Sequence, residues 1–389
     1  MKISVLTPDL SNNCLGRAYL LARVLQTRYE VEVVGPAFQN KVWDPLAGQD
    51  QVKLRIVPGC PLFYKSISQM KAIRKNITGN VIYASKPLLT SYGVGLTEKF
   101  FHQKPLVLDI DDWQMGFQKE TSKRLSLARK LRRFASSTLY LNSPSSYWNS
   151  LIGERLVGLA DEITVSNKFL NAKFGGTIVP HGRDADVFNP EGFDKEILRR
   201  ELRIPRHKKV VSFIGTPRPY KGIEDLVEAI RSLQDPRILL MLAGLSNSSY
   251  CSMLREVIAR KLTEGQVRLF GLQPFSALPE FLAASDLVVI PQRRNLATVG
   301  QVPAKVFDAM AMAKPIIATR VCDLPEILDG CGWIVEPESP ASLVQTIKYV
   351  FDHPGEAEEM GRKARAKCIQ EYSWKAIEKT LLGVFRKYE

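Results

Sequence analysis

Two segments hold side chains suited to a charged, hydroxyl-bearing ligand. The first is Phe213-Ile214-Gly215-Thr216-Pro217-Arg218-Pro219-Tyr220-Lys221-Gly222, which puts Arg218 and Lys221 in a Gly/Pro-bounded loop between an apolar strand and a helix. The second, GQVPAKVFDAMAMAKPIIA (300–318), puts Lys305 and Asp308 at the start of a helix that precedes a short apolar strand. Fixed cations stabilise the negative charge that grows on a departing diphosphate, and a carboxylate accepts hydrogen bonds from ribose hydroxyls. The plain alternatives are two solvated loop cations, a surface Lys305, and an Asp308 that favours a helix first turn.

Three further places carry chemical potential. In SNNCLGRA, Gly16 follows the first strand as a loop residue, where a missing Cβ lets backbone approach a ligand and the next helix N-terminus favours anions. An ordinary strand–helix turn is the competing account, and Arg17 meets either a phosphate or solvent. Asp109-Ile110-Asp111-Asp112-Trp113 follows a buried apolar run, so three acids crowd one strand end, which is costly without a function or a counter-ion. Lys119–Arg133 (KETSKRLSLARKLRR) holds seven cations and one acid, with Leu125, Ala128, Leu131 and Phe134 at roughly helical spacing. That pattern fits a basic amphipathic helix on an anionic membrane, or a helix whose apolar stripe covers the sheet. His181, in the turn VPHGRD, reads as a hinge or turn residue, whereas His102, His207 and His353 have no motif around them.

The elements that position these residues alternate almost throughout. Ile3–Thr7, Glu30–Gly35, Val81–Ser85, Leu106–Ile110 and Glu162–Ser166 read as strands in the first half. Val210–Ile214, Ile238–Ala243, Val267–Phe270, Leu287–Pro291, Ile316–Thr319 and Gly332–Val335 read as strands in the second. Helical patterns such as Gly16–Gln26 and Ile223–Leu233 lie between them. The alternation predicts α/β architecture, with parallel sheets covered by helices on both faces. A turn-rich stretch within 180–207 separates two such series, and Tyr372–Tyr388 predicts a final amphipathic helix.

Composition bounds the class. The 389 residues are too many for one small domain, and 45% hydrophobic with 24% charged residues is ordinary for a globular chain. No apolar run is long enough for a transmembrane helix, and the start reads as a buried strand rather than a signal peptide. Six scattered Cys without a CxxC pair predict reduced thiols, with neither zinc nor disulfides. The net charge of +14 is uneven, because residues 1–190 carry 25 Lys and Arg against 15 Asp and Glu. That excess invites a nucleic-acid, anionic-membrane or polyanionic partner.

The order of segments resembles the retaining glycosyltransferases of family 4. The resemblance rests on VPHGRD with Phe188-Asn189-Pro190, IGTPRPYKGIEDLVEAI (214–230), FGLQPFSALPEFLAASDLVVIPQ (270–292) and KVFDAMAMAKPIIA (305–318). It implies the GT-B fold, two Rossmann-like doubly wound domains facing a central cleft. Residues 1–184 would bind the acceptor, 185–370 the nucleotide sugar, and a helix in 371–389 would pack back on the N-terminal domain. The implied reaction moves a hexosyl unit, with retention, from a nucleotide-diphosphate sugar to an acceptor glycan, glycolipid or small molecule. Lys221, Arg218, Lys305 and Gly215 would face the diphosphate, with Gly16 at the cleft floor.

The resemblance gives Asp308 the ribose and Asp111 the reaction centre. Asp111 aligns with a His of relatives, and it and Asp112 could orient sugar or acceptor. Gly300 stands where relatives often carry a sugar-contacting Glu, and Thr216 where many carry an Arg. A metal-binding Asp-x-Asp of the unrelated GT-A fold is set aside for Asp109–Asp112, and neither metal nor cofactor is expected. The expected location is cytoplasmic, with 119–133 either on the inner face of a membrane, as in relatives that act on lipid-linked acceptors, or packed on the sheet, and no nucleic-acid partner is expected. An epimerase or phosphorylase of the same fold, or a non-catalytic polyanion binder, remains the alternative.

Overall fold

The computed structural model describes all residues except Gln49 and Arg124. The chain forms two compact units. Unit 1 comprises Met1–His181, Val299–Gln301 and Ile377–Glu389, and unit 2 comprises Gly182–Thr298 and Val302–Ala376.

Unit 1 is built on β1 (Lys2–Leu6), β2 (Glu30–Ala37), β3 (Lys53–Pro58), β4 (Val81–Ser85), β5 (Leu106–Ile110), β6 (Glu162–Val165) and β7 (Thr177–Ile178). These pair in parallel in the order β3-β2-β1-β4-β5-β6-β7. In β1, Ile3 faces Val31 on one side and Val81 on the other, so the chain winds outward in both directions from this strand. The helix Trp374–Phe385 supplies Ile377, Leu381 and Phe385 to the interior of unit 1. There the Phe385 ring meets Tyr83 edge-on at 5.2 Å, and Glu389 accepts from Arg28 and Tyr29.

Unit 2 carries β8 (Lys209–Ile214), β9 (Ile238–Leu245), β10 (Val267–Gly271), β11 (Leu287–Ile290), β12 (Ile316–Thr319) and β13 (Trp333–Val335), ordered β10-β9-β8-β11-β12-β13 and all parallel. Its strands alternate between two cores. Val210, Leu239, Met241 and Val288 enter one, whereas Val211, Leu240, Leu242 and Val289 enter the other. Burial on both faces explains why these strands read as unbroken apolar runs. The expected α/β, doubly wound architecture is what each unit adopts.

Two strands escape the sequence pattern. β3 is an edge strand with an exposed Ile56, and its cations alternate with apolar residues because Arg55 reaches Glu32 on β2. β7 has only two residues. Strand order reverses beside β1/β4 in unit 1 and β8/β11 in unit 2, and ligands of open parallel sheets bind outside the carboxyl ends at such points.

Candidate active site

In unit 2 the carboxyl end of β8 opens directly into Gly215, whose φ is +131°. A Cβ on Gly215 would lie 3.0 Å from the Lys305 ammonium, so a glycine leaves the ammonium its room. Lys305 starts the helix Lys305–Ala311. Its Nζ is 3.5 Å from the centroid of the Phe213 ring. The Nζ is buried and has no hydrogen-bond partner among the described residues. Burial first, and then the nearby Lys221 charge, push the Lys305 pKa well below the ordinary lysine value, while Asp308 opposes them. Lys221 closes the short helix Pro219–Lys221 and donates to the Thr216 carbonyl at 2.9 Å.

The turn holding Lys221 is tightly fixed. Gly222 has φ +64°, and a Cβ there would come within 1.9 Å of the Pro291 carbonyl oxygen. Arg293, just beyond β11, grips Asp225 with two bonds of 2.9 Å, and its backbone N–H donates to the Tyr220 carbonyl at 2.9 Å. Sequence reading missed Arg293 because its partner lies across the switch point, 68 positions away. Arg218 stands exposed on this loop and pairs with no carboxylate among the described residues. Gly215, Lys221 and Lys305 therefore converge, with Arg218 at the rim of the same loop.

Asp308, expected at the ribose, also has a partner within the protein. The Arg183 Nε donates to its Oδ1. The same guanidinium bonds the Gly182 carbonyl at 2.8 Å and the Ala304 carbonyl at 3.3 Å. Both residues are buried. Arg183 lies inside the quoted VPHGRD motif, yet no local spacing links it to an acid 125 residues on.

Unit 1 corrects several expectations. Gly16 is not in a loop: it lies in the first turn of the helix Cys14–Leu25. Asp9 accepts from the Ser11 N–H at 2.8 Å and Asn12 from the Cys14 N–H at 2.9 Å, which starts the helix early. A Cβ on Gly16 would lie 3.3 Å from the Trp43 ring, so packing accounts for the glycine. Arg17 meets neither phosphate nor solvent. It is buried and bonds both Asp109 oxygens at 3.1 and 2.9 Å. It also donates to the carbonyls of Val179 at 2.7 Å and Pro180 at 3.0 Å. Asp109 accepts from Thr164 at 2.9 Å as well, which completes a structural network.

The other two acids share Lys86. Its ammonium bonds Asp111 at 2.5 Å and Asp112 at 2.8 Å, and Gln301 donates to Asp112 at 2.9 Å. Burial would lower the Lys86 pKa, but Asp111 and Asp112 outweigh it and raise the value well above the ordinary one. Lys86 directly follows β4 with φ +65°, an uncommon backbone state for a lysine. Sequence reading missed it: the three acids demanded counter-ions, and Arg17 and Lys86 supply them. Among the described residues no three metal-ligating side chains gather at one point. His181 is half-buried and ends the first segment of unit 1.

Gly300 is explained by space. A Cβ there would sit 2.8 Å from the Trp113 Cβ and 3.0 Å from Phe169, so no glutamate side chain fits without displacing them. In 119–133, Arg124 lies outside the described residues, and two helices, Gln114–Lys123 and Leu127–Leu139, replace a single one. The expected stripe is not buried as a whole, because Ala128 is exposed and Leu131 is 61% exposed, whereas Leu125 and Phe134 are half-buried. The Phe134 ring lies 4.9 Å from the Tyr147 ring.

Comparison with known proteins places this arrangement. Residues 194–367 match the family model of the glycosyl transferases group 1. D-inositol 3-phosphate glycosyltransferase of Corynebacterium glutamicum is 28% identical over 219 residues, 54% of this chain and 51% of that protein. Alpha-maltose-1-phosphate synthase of Mycolicibacterium smegmatis is 26% identical over 224 residues, 54% of this chain and 56% of the relative. The chain thus spans about half the length of the curated relatives it matches. Among solved structures, Anabaena HepE in complex with UDP-glucose aligns over 100% of both chains, with a TM-score of 0.76 at 19% identity. Sucrose-phosphate synthase of Thermosynechococcus elongatus covers 100% of this chain and 99% of its own at TM-score 0.73 and 15% identity. At those identities the likeness establishes the fold.

Proposed function

We propose that this chain, whose residues 194–367 match the family model of the glycosyl transferases group 1, is a member of that family and moves a hexosyl unit from a nucleotide-diphosphate sugar to an acceptor hydroxyl. The observation that carries the reading is the buried Lys305 ammonium, without a hydrogen-bond partner, beside Gly215 and Lys221. An isolated buried cation is costly, and a diphosphate would relieve that cost. As the glycosidic C–O bond breaks, charge builds on the leaving phosphate oxygens, and Lys305 and Lys221 stabilise that charge from fixed positions. The acceptor oxygen bonds the anomeric carbon on the face the diphosphate leaves, and its proton passes to the departing phosphate, which gives retention. This stereochemistry rests on the resemblance of the motifs to family 4, and the reading assigns no metal or further cofactor.

Donor binding is assigned to unit 2 and acceptor binding to unit 1. Arg218 joins the diphosphate site from its exposed position. Asp111, positioned by Lys86, is assigned to the acceptor hydroxyl. Asp308, held by Arg183, is assigned to the ribose hydroxyls. The neighbour bound to UDP-glucose favours a uridine donor. A melting-temperature panel of UDP-, GDP- and ADP-sugars tests the reading: at least one should raise the midpoint, and no response from any would contradict it. Sugar transfer that requires an acceptor separates a transferase from an epimerase, and a response to inorganic phosphate would favour a phosphorylase.

A second observation favours a peripheral contact with an anionic bilayer. Leu127, Leu131 and Leu139 are exposed on a helix that also carries Arg129, Lys130 and Arg132, and the exposed Tyr140 follows it. Among the described residues no helix is long and apolar enough to cross a membrane. Co-sedimentation with phosphatidylglycerol vesicles should be salt-sensitive and should weaken in Leu127→Ser/Leu131→Ser, and salt-independent or absent binding would remove this contact.

A further inference from the structure

Unit 1 contains a cleft of about 620 Å³ whose walls do not include the paired charges at its strand ends. That volume falls within the roughly 300–1,000 Å³ range of small-molecule sites. Gln114, Gln118, Arg133, Ser136, Tyr140 and Ser145 contribute to its walls. The walls are cross-linked. The Gln118 amide donates to the Ser145 carbonyl at 3.1 Å, the Ser146 carbonyl at 3.3 Å and the Ser150 hydroxyl at 3.1 Å. On the far rim, Asn142 donates to the carbonyls of Cys60 at 3.1 Å and Leu62 at 3.0 Å, which holds Pro61 in place.

Arg133 is the cation of this cleft. Its guanidinium donates to the Gln118 carbonyl at 3.4 Å, to the Gln118 side-chain oxygen and to the Ser122 hydroxyl at 3.0 Å. All of these acceptors are neutral, and no carboxylate pairs with Arg133 among the described residues. Burial accordingly pushes its pKa down. A guanidinium stays protonated in proteins, so the cleft keeps an uncompensated positive charge aimed by Gln118 and Ser122. The Ser136 and Tyr140 side chains bond nothing among the described residues, whereas the Ser143 and Ser145 hydroxyls bond each other at 2.9 Å. A fixed fork of donors ringed by hydroxyls suits a phosphate group attached to a hydroxylated body.

We propose that this cleft binds a phosphate ester and thereby holds the phosphorylated part of the acceptor, an assignment that rests on the transferase reading above. The helix Gln114–Lys123 that forms one wall begins two residues beyond Asp112, so the cleft adjoins, in sequence, the strand end assigned to the acceptor. The shared chemistry is a phosphate ester, supplied either by a soluble phosphorylated polyol or by a lipid headgroup.

Isothermal titration of the full chain with glycerol 3-phosphate and with glycerol tests the site, alongside flotation with phosphatidic acid and with phosphatidylcholine vesicles. Glycerol 3-phosphate should bind and glycerol should not. Arg133→Gln should weaken binding by roughly tenfold or more, the loss expected for a hydrogen bond to a charged group, and Arg133→Lys should restore part of it. Ser136→Trp, which fills the cleft from an exposed position, should block binding even if Arg133→Gln folds poorly. Binding of soluble glycerol 3-phosphate identifies a free ester as sufficient, and binding of phosphatidic acid alone identifies a headgroup; either supports the site if Arg133→Gln or Ser136→Trp abolishes it. Equal affinity in both variants, or binding of neither probe, overturns it. UDP titrated in parallel separates the two claims: retained UDP binding without phosphate-ester binding defeats the cleft alone, and loss of both defeats the transferase reading.

Discussion

The two sheets end in opposite electrostatic arrangements. At the carboxyl ends of β4 and β5, unit 1 gathers Arg17, Lys86, Asp109, Asp111 and Asp112, and each charge has a partner. At the carboxyl end of β8, unit 2 buries the Lys305 ammonium beside the Lys221 charge and gives it no hydrogen bond. Folding alone accounts for the Arg17–Asp109 pair, since buried charges persist when they are paired and bonded, and Lys86 likewise neutralises Asp111 and Asp112. It does not explain the arrangement in unit 2. On the proposed reading, an ammonium held in a glycine-shaped space, at a price in stability, awaits a ligand that brings the missing negative charge.

The sharpest way to break this comparison is to unpair unit 1. Asp109→Ala leaves the buried Arg17 guanidinium without its carboxylate, and should cost about 3–5 kcal/mol in urea denaturation. A loss below about 1 kcal/mol would mean that the network is not structural. Next in size is Gly300→Ala. Its new methyl group would press on Trp113 and Phe169, with an expected loss of about 1–3 kcal/mol as in other overpacked interiors. A Gly300→Ala variant as stable as the parent would show that the missing glutamate is not a matter of space.

The pH dependence gives a smaller effect. Burial pushes the Lys314 pKa down to about 7, and Lys305 is lowered as well. Between a depressed folded value and the ordinary 10.5 the unfolded chain holds the extra proton. Stability of the ligand-free protein therefore rises with pH across that window, and is lowest where both states are protonated. Urea midpoints measured from about pH 7 to about 8.5 should climb, and Lys314→Met should flatten the climb. A falling midpoint would reverse the sign and contradict the burial of these amines.

Much of the fold was legible because its information is local. Apolar runs such as Val210–Ile214 and Ile238–Ala243 mark strands buried on both faces, and the glycines at 215 and 222 sit where backbone geometry requires them. The site was legible only in part. Lys221 and Lys305 stood out as cations at loop and helix starts. Arg183, Arg293 and Lys86 did not, because each acquires meaning from an acid distant in the chain. Gly16 and Arg17 looked like ligand contacts for the converse reason: their neighbours Trp43 and Asp109 are close only in the folded state. Spacing reveals which residues share an element, while pairing across elements depends on the register that the sheet imposes.

The central claim is that Lys305 awaits a diphosphate. Titration of wild-type chain and Lys305→Met with uridine and with UDP, at one ionic strength, tests it most directly. The account predicts that wild type binds UDP at least roughly tenfold more tightly than uridine, that Lys305→Met removes most of this preference, and that the variant melts no lower than wild type once the buried charge is gone. An unchanged preference for UDP in Lys305→Met, together with a lowered melting temperature, would show that Lys305 serves the fold rather than the ligand.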